Sequence, residues 1–113
     1  MDAGSMRLVG GIDALNGGML SGWAADLNSK TSISVAVYCN DKLVGSGVAE
    51  TLRPDLKQAN INDGLHGFKL EVDTTALVDN AILEIRELES DAPVETNEFN
   101  IGILQPSFWA EAQ

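Results

Sequence analysis

The sequence predicts an all-β domain: an antiparallel β-sandwich of jelly-roll or immunoglobulin-like type, with about seven to eight strands. Three observations carry that reading. The apolar residues recur with a period of two over several short runs. Glycine and asparagine sit between the runs, where tight turns need positive φ. Helical signals are confined to one short helical turn near Pro54–Asn60.

The elements follow in chain order. The opening MDAGSM, residues 1–6, reads as a cloning remnant ahead of a natural start near Met6. Residues 7–104 then form a single sandwich domain. Gly10–Leu15 and Met19–Asp26 are strand-like and flank Asn16-Gly17-Gly18, a hairpin signal. In Ser32–Cys39, Ile33, Val35, Val37 and Cys39 share one face, and Ser34, Ala36 and Tyr38 share the other. Asn40-Asp41-Lys42 turns the chain into a strand over Leu43–Glu50. Pro54 suits a first helical turn, Asp55 favours its N-terminus, and Leu56 and Ala59 lie three apart. Phe68–Asp73 alternates again, with Phe68, Leu70 and Val72 inward. Thr74–Asn80 is a short turn at most. Ala81–Leu88 and Glu98–Leu104 complete the strands. Residues 105–113 are a tail, covering a sheet edge or leading into a neighbouring domain.

A chain of 113 residues with 44% hydrophobic content can bury a two-layer core without disulfides or metal. No apolar run approaches the ~18 residues a membrane span needs, and no basic-then-apolar leader is visible. Cys39 is alone, so no intrachain disulfide forms; it reads as a small buried hydrophobe rather than a nucleophile. The formal net charge is −10. Residues 1–70 carry 7 acids and 6 bases, whereas residues 71–113 carry 10 acids and only Arg86. Such a chain repels nucleic acid and anionic lipid. Its acidic half is a solvated face or a contact for a basic partner or cations.

Enzyme chemistry finds little support. His66 is the sole imidazole, no nucleophile elbow precedes a helix, and Cys39 lies mid-strand. Gly10-Gly11 and Gly17-Gly18 are turn glycines without a following helix, so no phosphate loop is present. Asn60, Asn62 and Asp63 ahead of Gly64 faintly resemble a calcium loop, but the remaining carboxylates are missing. The plainer reading is an Asx-type turn with Gly64 left-handed, and no metal or other cofactor is expected unless calcium binds there. Carbohydrate binding is the third class. It needs aromatic faces free of the core; of the six aromatics Phe108 lies in the tail, and the other five divide accordingly. Phe68 and Phe99 are in the inward phase. Tyr38 points away from the apolar stripe and Trp109 lies beyond the last strand, which makes them the leading stacking candidates. Trp23, in a strand of mixed phase, reads as core with a stacking place as the alternative.

Three pieces of the sequence go together: Gly22-Trp23-Ala24 with Asp26, Arg53-Pro54-Asp55-Leu56, and Gly64 through Phe68. In that order they resemble a small β-sandwich module appended to bacterial glycosyltransferases and other cell-surface polysaccharide proteins. The turn at Asn40-Asp41-Lys42 departs from that module, which has a Gly there. The likeness spans roughly residues 10–88. It implies a noncatalytic accessory module with a glycan or polysaccharide as ligand and a neighbouring enzyme domain as partner. It also implies a bacterial origin, cytoplasmic or membrane-peripheral, with secretion or cell-surface display as the alternative. The rival role is a structural or protein-interaction module that positions a neighbour or makes an oligomer.

The stretch RPDLKQANINDGLHGF then reads as a structural clamp, with a ligand site and a catalytic site as alternatives. Arg53 forks to a carboxylate or to loop carbonyls. Asp55 and His66, at the two ends of the connection, are placed to meet. Gly64 and Gly67 let the backbone turn, and Phe68 plugs the core.

Overall fold

The computed structural model describes residues 6–29, 31–61 and 64–102. Seven strands form two antiparallel sheets: β1 Leu8–Asn16, β2 Met19–Asp26, β3 Ile33–Cys39, β4 Lys42–Ala49, β5 Thr51–Leu52, β6 Leu65–Glu71 and β7 Leu83–Glu87. One sheet has the order β1-β2-β6-β5 and the other β4-β3-β7. A five-residue helix α1, Pro54–Gln58, joins β5 to β6, and a 3₁₀ turn at Thr74–Ala76 follows β6. This strand order is of the immunoglobulin type, with two hairpins in different sheets and later strands returning beside earlier ones. Among the described residues no helix is long and apolar enough to cross a membrane.

Local chemistry explains the connections. Both hairpins have two-residue loops whose residues take positive φ: Gly17 (58°) and Gly18 (86°), then Asn40 (52°) and Asp41 (66°). That is the primed-turn geometry, whose twist matches the flanking strands. Gly is absent from the second loop because Asn and Asp tolerate the left-handed region. The 3₁₀ turn begins at Asp73, whose carboxylate accepts from the Thr75 amide at 3.0 Å.

The core lies between the sheets. Leu20, Val35, Val37, Cys39 and Ile85 are almost fully buried, with Phe68 and Leu70 facing them from β6. Each is the inward member of a period-two strand. Leu56 anchors α1 and is 3% exposed.

Over its described residues, 98–102, the last expected strand, Glu98–Leu104, is not present as a strand. Within its described part there is a single bridge, Ile82 with Asn100, although Phe99 and Ile101 still pack against the core. The place beside most of β7 is taken by an earlier segment. Pro93 bridges Arg86, and Val94 donates to the Ile85 carbonyl at 2.9 Å. Glu95 then crosses to β1, donating to Leu8 and accepting from Gly10. Residues 92–95 therefore tie one sheet to the other.

Candidate site on the outer face of the four-stranded sheet

The pieces of sequence singled out above converge on one surface. Gly11, Trp23, Gly67 and Thr51 are register partners in succession across β1, β2, β6 and β5. Ala24 faces the core, so its neighbour Trp23 faces outward. A side chain on Gly11 would meet the Trp23 Nε1 at 2.6 Å and Cδ1 at 3.3 Å. The pyrrole part of the indole therefore lies on the backbone of Gly11, where any other residue would lift it.

On the other flank, Arg53 lies across Gly67. A Cβ at Gly67 would meet Arg53 Cγ at 2.7 Å and Cδ at 2.8 Å. Beyond Gly67 the guanidinium divides. Nε and Nη2 donate to the two oxygens of Asp55 at 3.1 and 2.8 Å, a bidentate fork. Nη1 donates to Asp13. Asp13 occupies a bulge in β1, where the register shifts between Ile12 and Ala14. The bulge aims its carboxylate over the sheet. Arg53 thus links the edge strand β1 to the connection that follows the opposite edge β5. The Arg53 hydrogen bond holds the Asp55 carboxyl below the usual carboxylate range, and Asp55 in turn raises Arg53.

Asp55 and His66 do not meet. Asp55 is exposed and paired with Arg53, whereas His66 shares the inward face of β6 with Phe68 and is fully buried. The alternation of β6 makes this unavoidable, since Gly67 faces out. Gly64 has φ of 81°, and a Cβ there would approach Lys57 Cβ to 2.9 Å. Its carbonyl accepts from the Arg53 amide at 2.8 Å and closes the connection. Asn60 is exposed at φ 61°; Asn62, Asp63 and Trp109 lie outside the described residues. No group of three or more metal-ligating side chains occurs among the described residues.

Tyr38 faces outward from β3, but one side of its ring is occupied. The Arg86 guanidinium stands 4.1 Å from the ring centroid. Arg86 also binds Glu84 at 3.0 Å and Asp91 at 3.2 Å, and those carboxylates, Glu84 first, raise it above its ordinary value. The sequence reading did not anticipate this cluster; the pairing Ala36–Arg86, two residues from Tyr38 and on the same face, is visible only once strands are registered.

A cavity of about 290 Å³ opens elsewhere, lined in part by Asp26, Ser34, Glu87 and Glu89. Its buried carboxylates serve the backbone. Asp26 accepts from the amides of Arg7 and Asn28. Burial alone would raise Glu87, but hydrogen bonds from Ser90 and Glu89 outweigh it and pull the carboxyl below its ordinary value. No aromatic lines this cavity. Comparison of the chain with protein-family models, with curated proteins and with solved structures finds no match.

Proposed function

We propose that this domain is a noncatalytic binding module that takes a glycan on the outer face of its four-stranded sheet, as an accessory to a polysaccharide-related enzyme. The observation that carries the reading is the setting of Trp23: a partly buried, outward-facing indole laid on Gly11, with Gly67 and the Arg53–Asp13–Asp55 cluster beside it. A sugar ring stacks its CH face on such a platform, and the flanking carboxylates and guanidinium accept and donate to its hydroxyls. Of the residues behind the resemblance to glycosyltransferase-associated modules, Trp23, Arg53, Asp55 and Gly67 lie on this surface, whereas Ala24, Leu56, His66 and Phe68 are buried. Burial of both His66 and Cys39 leaves the usual nucleophile–base chemistry without an exposed partner. Neutral sugars suit a domain of net charge −10, since an anionic polysaccharide would be repelled.

Binding should be weak, with Kd of about 0.1–1 mM, because one stacked ring and a few exchanged hydrogen bonds supply only ~4–5.5 kcal/mol. The test is titration of neutral and acidic oligosaccharides followed by tryptophan fluorescence and amide shifts. Trp23→Ala should weaken binding about tenfold or more, with Tyr38→Ala and Trp109→Ala as comparisons. Binding that persists unchanged in Trp23→Ala rejects the platform; absence of binding to any glycan rejects the function.

A further inference from the structure

The outward face that carries Trp23 continues past Gly67. Two residues away along β6, on the same face, stands Leu65, and its register partner on β5 is Leu52. They are 41% and 54% exposed. A single exposed leucine is ordinary, but these two are cross-strand neighbours. They form the row next to that of Trp23, Gly67 and Thr51. Gly67 is the outward position adjacent to both Trp23 and Leu65, and the Arg53 stem covers it. Indole, arginine stem and leucine pair therefore make one apolar strip. Its polar rim is the Arg53 guanidinium with Asp13 and Asp55. Contiguous exposed apolar surface inside a polar rim marks a binding site.

Dimensions and chemistry select the occupant. Strands about 4.8 Å apart and a rise of about 3.4 Å per residue put Leu52 about 12 Å from Trp23 across the sheet. One sugar ring stacked on the indole does not reach the leucines. A chain of sugars does, and it offers what the strip asks for: rings with CH faces for the indole and the leucines, and hydroxyls along its edges for the carboxylates and the guanidinium. We infer, on the basis of the glycan reading of Trp23, that the ligand is an extended neutral oligosaccharide or polysaccharide chain of at least three units. It lies across β2, β6 and β5, with one ring on Trp23 and another on the pair Leu52–Leu65. The leucine pair is a second subsite, and it makes the domain a reader of chains rather than of single sugars.

The test is calorimetric titration of the domain with cello-, laminari-, malto- and manno-oligosaccharides of one to six units. In a series that binds, affinity should rise about tenfold between one unit and three or four, and then level off. Leu52→Ser combined with Leu65→Ser should remove that rise while leaving affinity for the shortest ligand unchanged, whereas Trp23→Ala weakens every length. Leu52→Ser alone, at a position more than half exposed on a two-residue strand, should leave circular dichroism and melting unchanged and lose about threefold on the long chains. Equal affinity at every length, or a rise that survives both serine changes, overturns the inference and leaves the Trp23 platform standing. No binding in any series overturns the glycan reading, and the chain-reading subsite with it.

Discussion

Arg53 shows how much one residue organises. Its amide closes the α1–β6 connection by donating to the Gly64 carbonyl, its carbonyl accepts from Leu56 and Lys57 at the start of α1, and its side chain spans the sheet to Asp13. The stem needs Gly67 beneath it. The ion pairs themselves are modest, since Asp13 and Asp55 are 45% and 61% exposed and solvated pairs contribute about 1 kcal/mol or less. Arg53→Ala should therefore cost about 1 kcal/mol, part of it lost stem packing, or ~4 °C in melting temperature. The cost of Gly67→Ala should shrink in the Arg53→Ala background, because the two closest atoms to the added methyl, Arg53 Cγ and Cδ, are then gone and the Thr51 carbonyl at 3.0 Å remains. Additivity of the two changes in denaturant titrations would show that the arginine does not lie on the glycine. In the same Arg53→Ala variant the Asp55 carboxyl, read by NMR titration, should rise to an ordinary aspartate value, because its main hydrogen-bond donor is gone.

Among the elements, α1 is the one that cannot stand alone. Five residues are far too few for an independent helix, and no side chain caps it. Leu56, buried under the turn, supplies its attachment. Leu56→Ala should cost about 2–3 kcal/mol, the low end for buried leucines because an edge site can collapse. A loss under about 0.5 kcal/mol in urea unfolding would mean that α1 is held by Arg53 and Gly64 instead. The helix was readable in advance because Pro54 and Asp55 act locally, and β1 to β4, β6 and β7 were readable because burial on one face imposes the period of two. What escaped was set by partners distant in sequence. Val94 has no periodic neighbours beyond Pro93 to mark it as a strand, yet β7 and β1 both pair with its segment. Glu98–Ile101 has the right alternation, but an alternating run becomes a strand only where an edge is left to receive it. The candidate site was half legible for the same reason. The forks of Arg53 and the turn at Gly64 are local chemistry, whereas Trp23 turns outward only because Ala24 beside it is needed inside.

At the scale of the whole molecule, charge works against compactness. The formal charge is −10 on a body with a radius of gyration of 14.3 Å. At low salt, where the Debye length is about 30 Å, every carboxylate feels the others; at 0.15 M it is about 8 Å, and only neighbours interact. Salt also weakens the Arg53 and Arg86 clusters, but these join a few exposed carboxylates while the excess acids repel throughout. Repulsion should dominate, so the melting temperature should rise from about 0.01 M to 0.15 M sodium chloride at pH 7. Acid acts through a second route. The Glu87 carboxyl titrates below its unfolded value of 4.5 because Ser90 and Glu89 donate to it. A depressed folded pKa means that its stabilisation is complete above pH 4.5 and is lost as the pH falls from there through the lower folded value. Asp55 and Asp73, lowered from 3.8, follow the same sign slightly lower in pH. Mild acidification toward pH 5 reduces little of this and leaves the domain intact, while further acidification removes it group by group. Glu87→Gln should therefore melt lower at pH 7 yet show a flatter decline below pH 4.5 than the native protein. Parallel pH profiles for the two proteins would assign the acid transition to the exposed carboxylates instead of to Glu87.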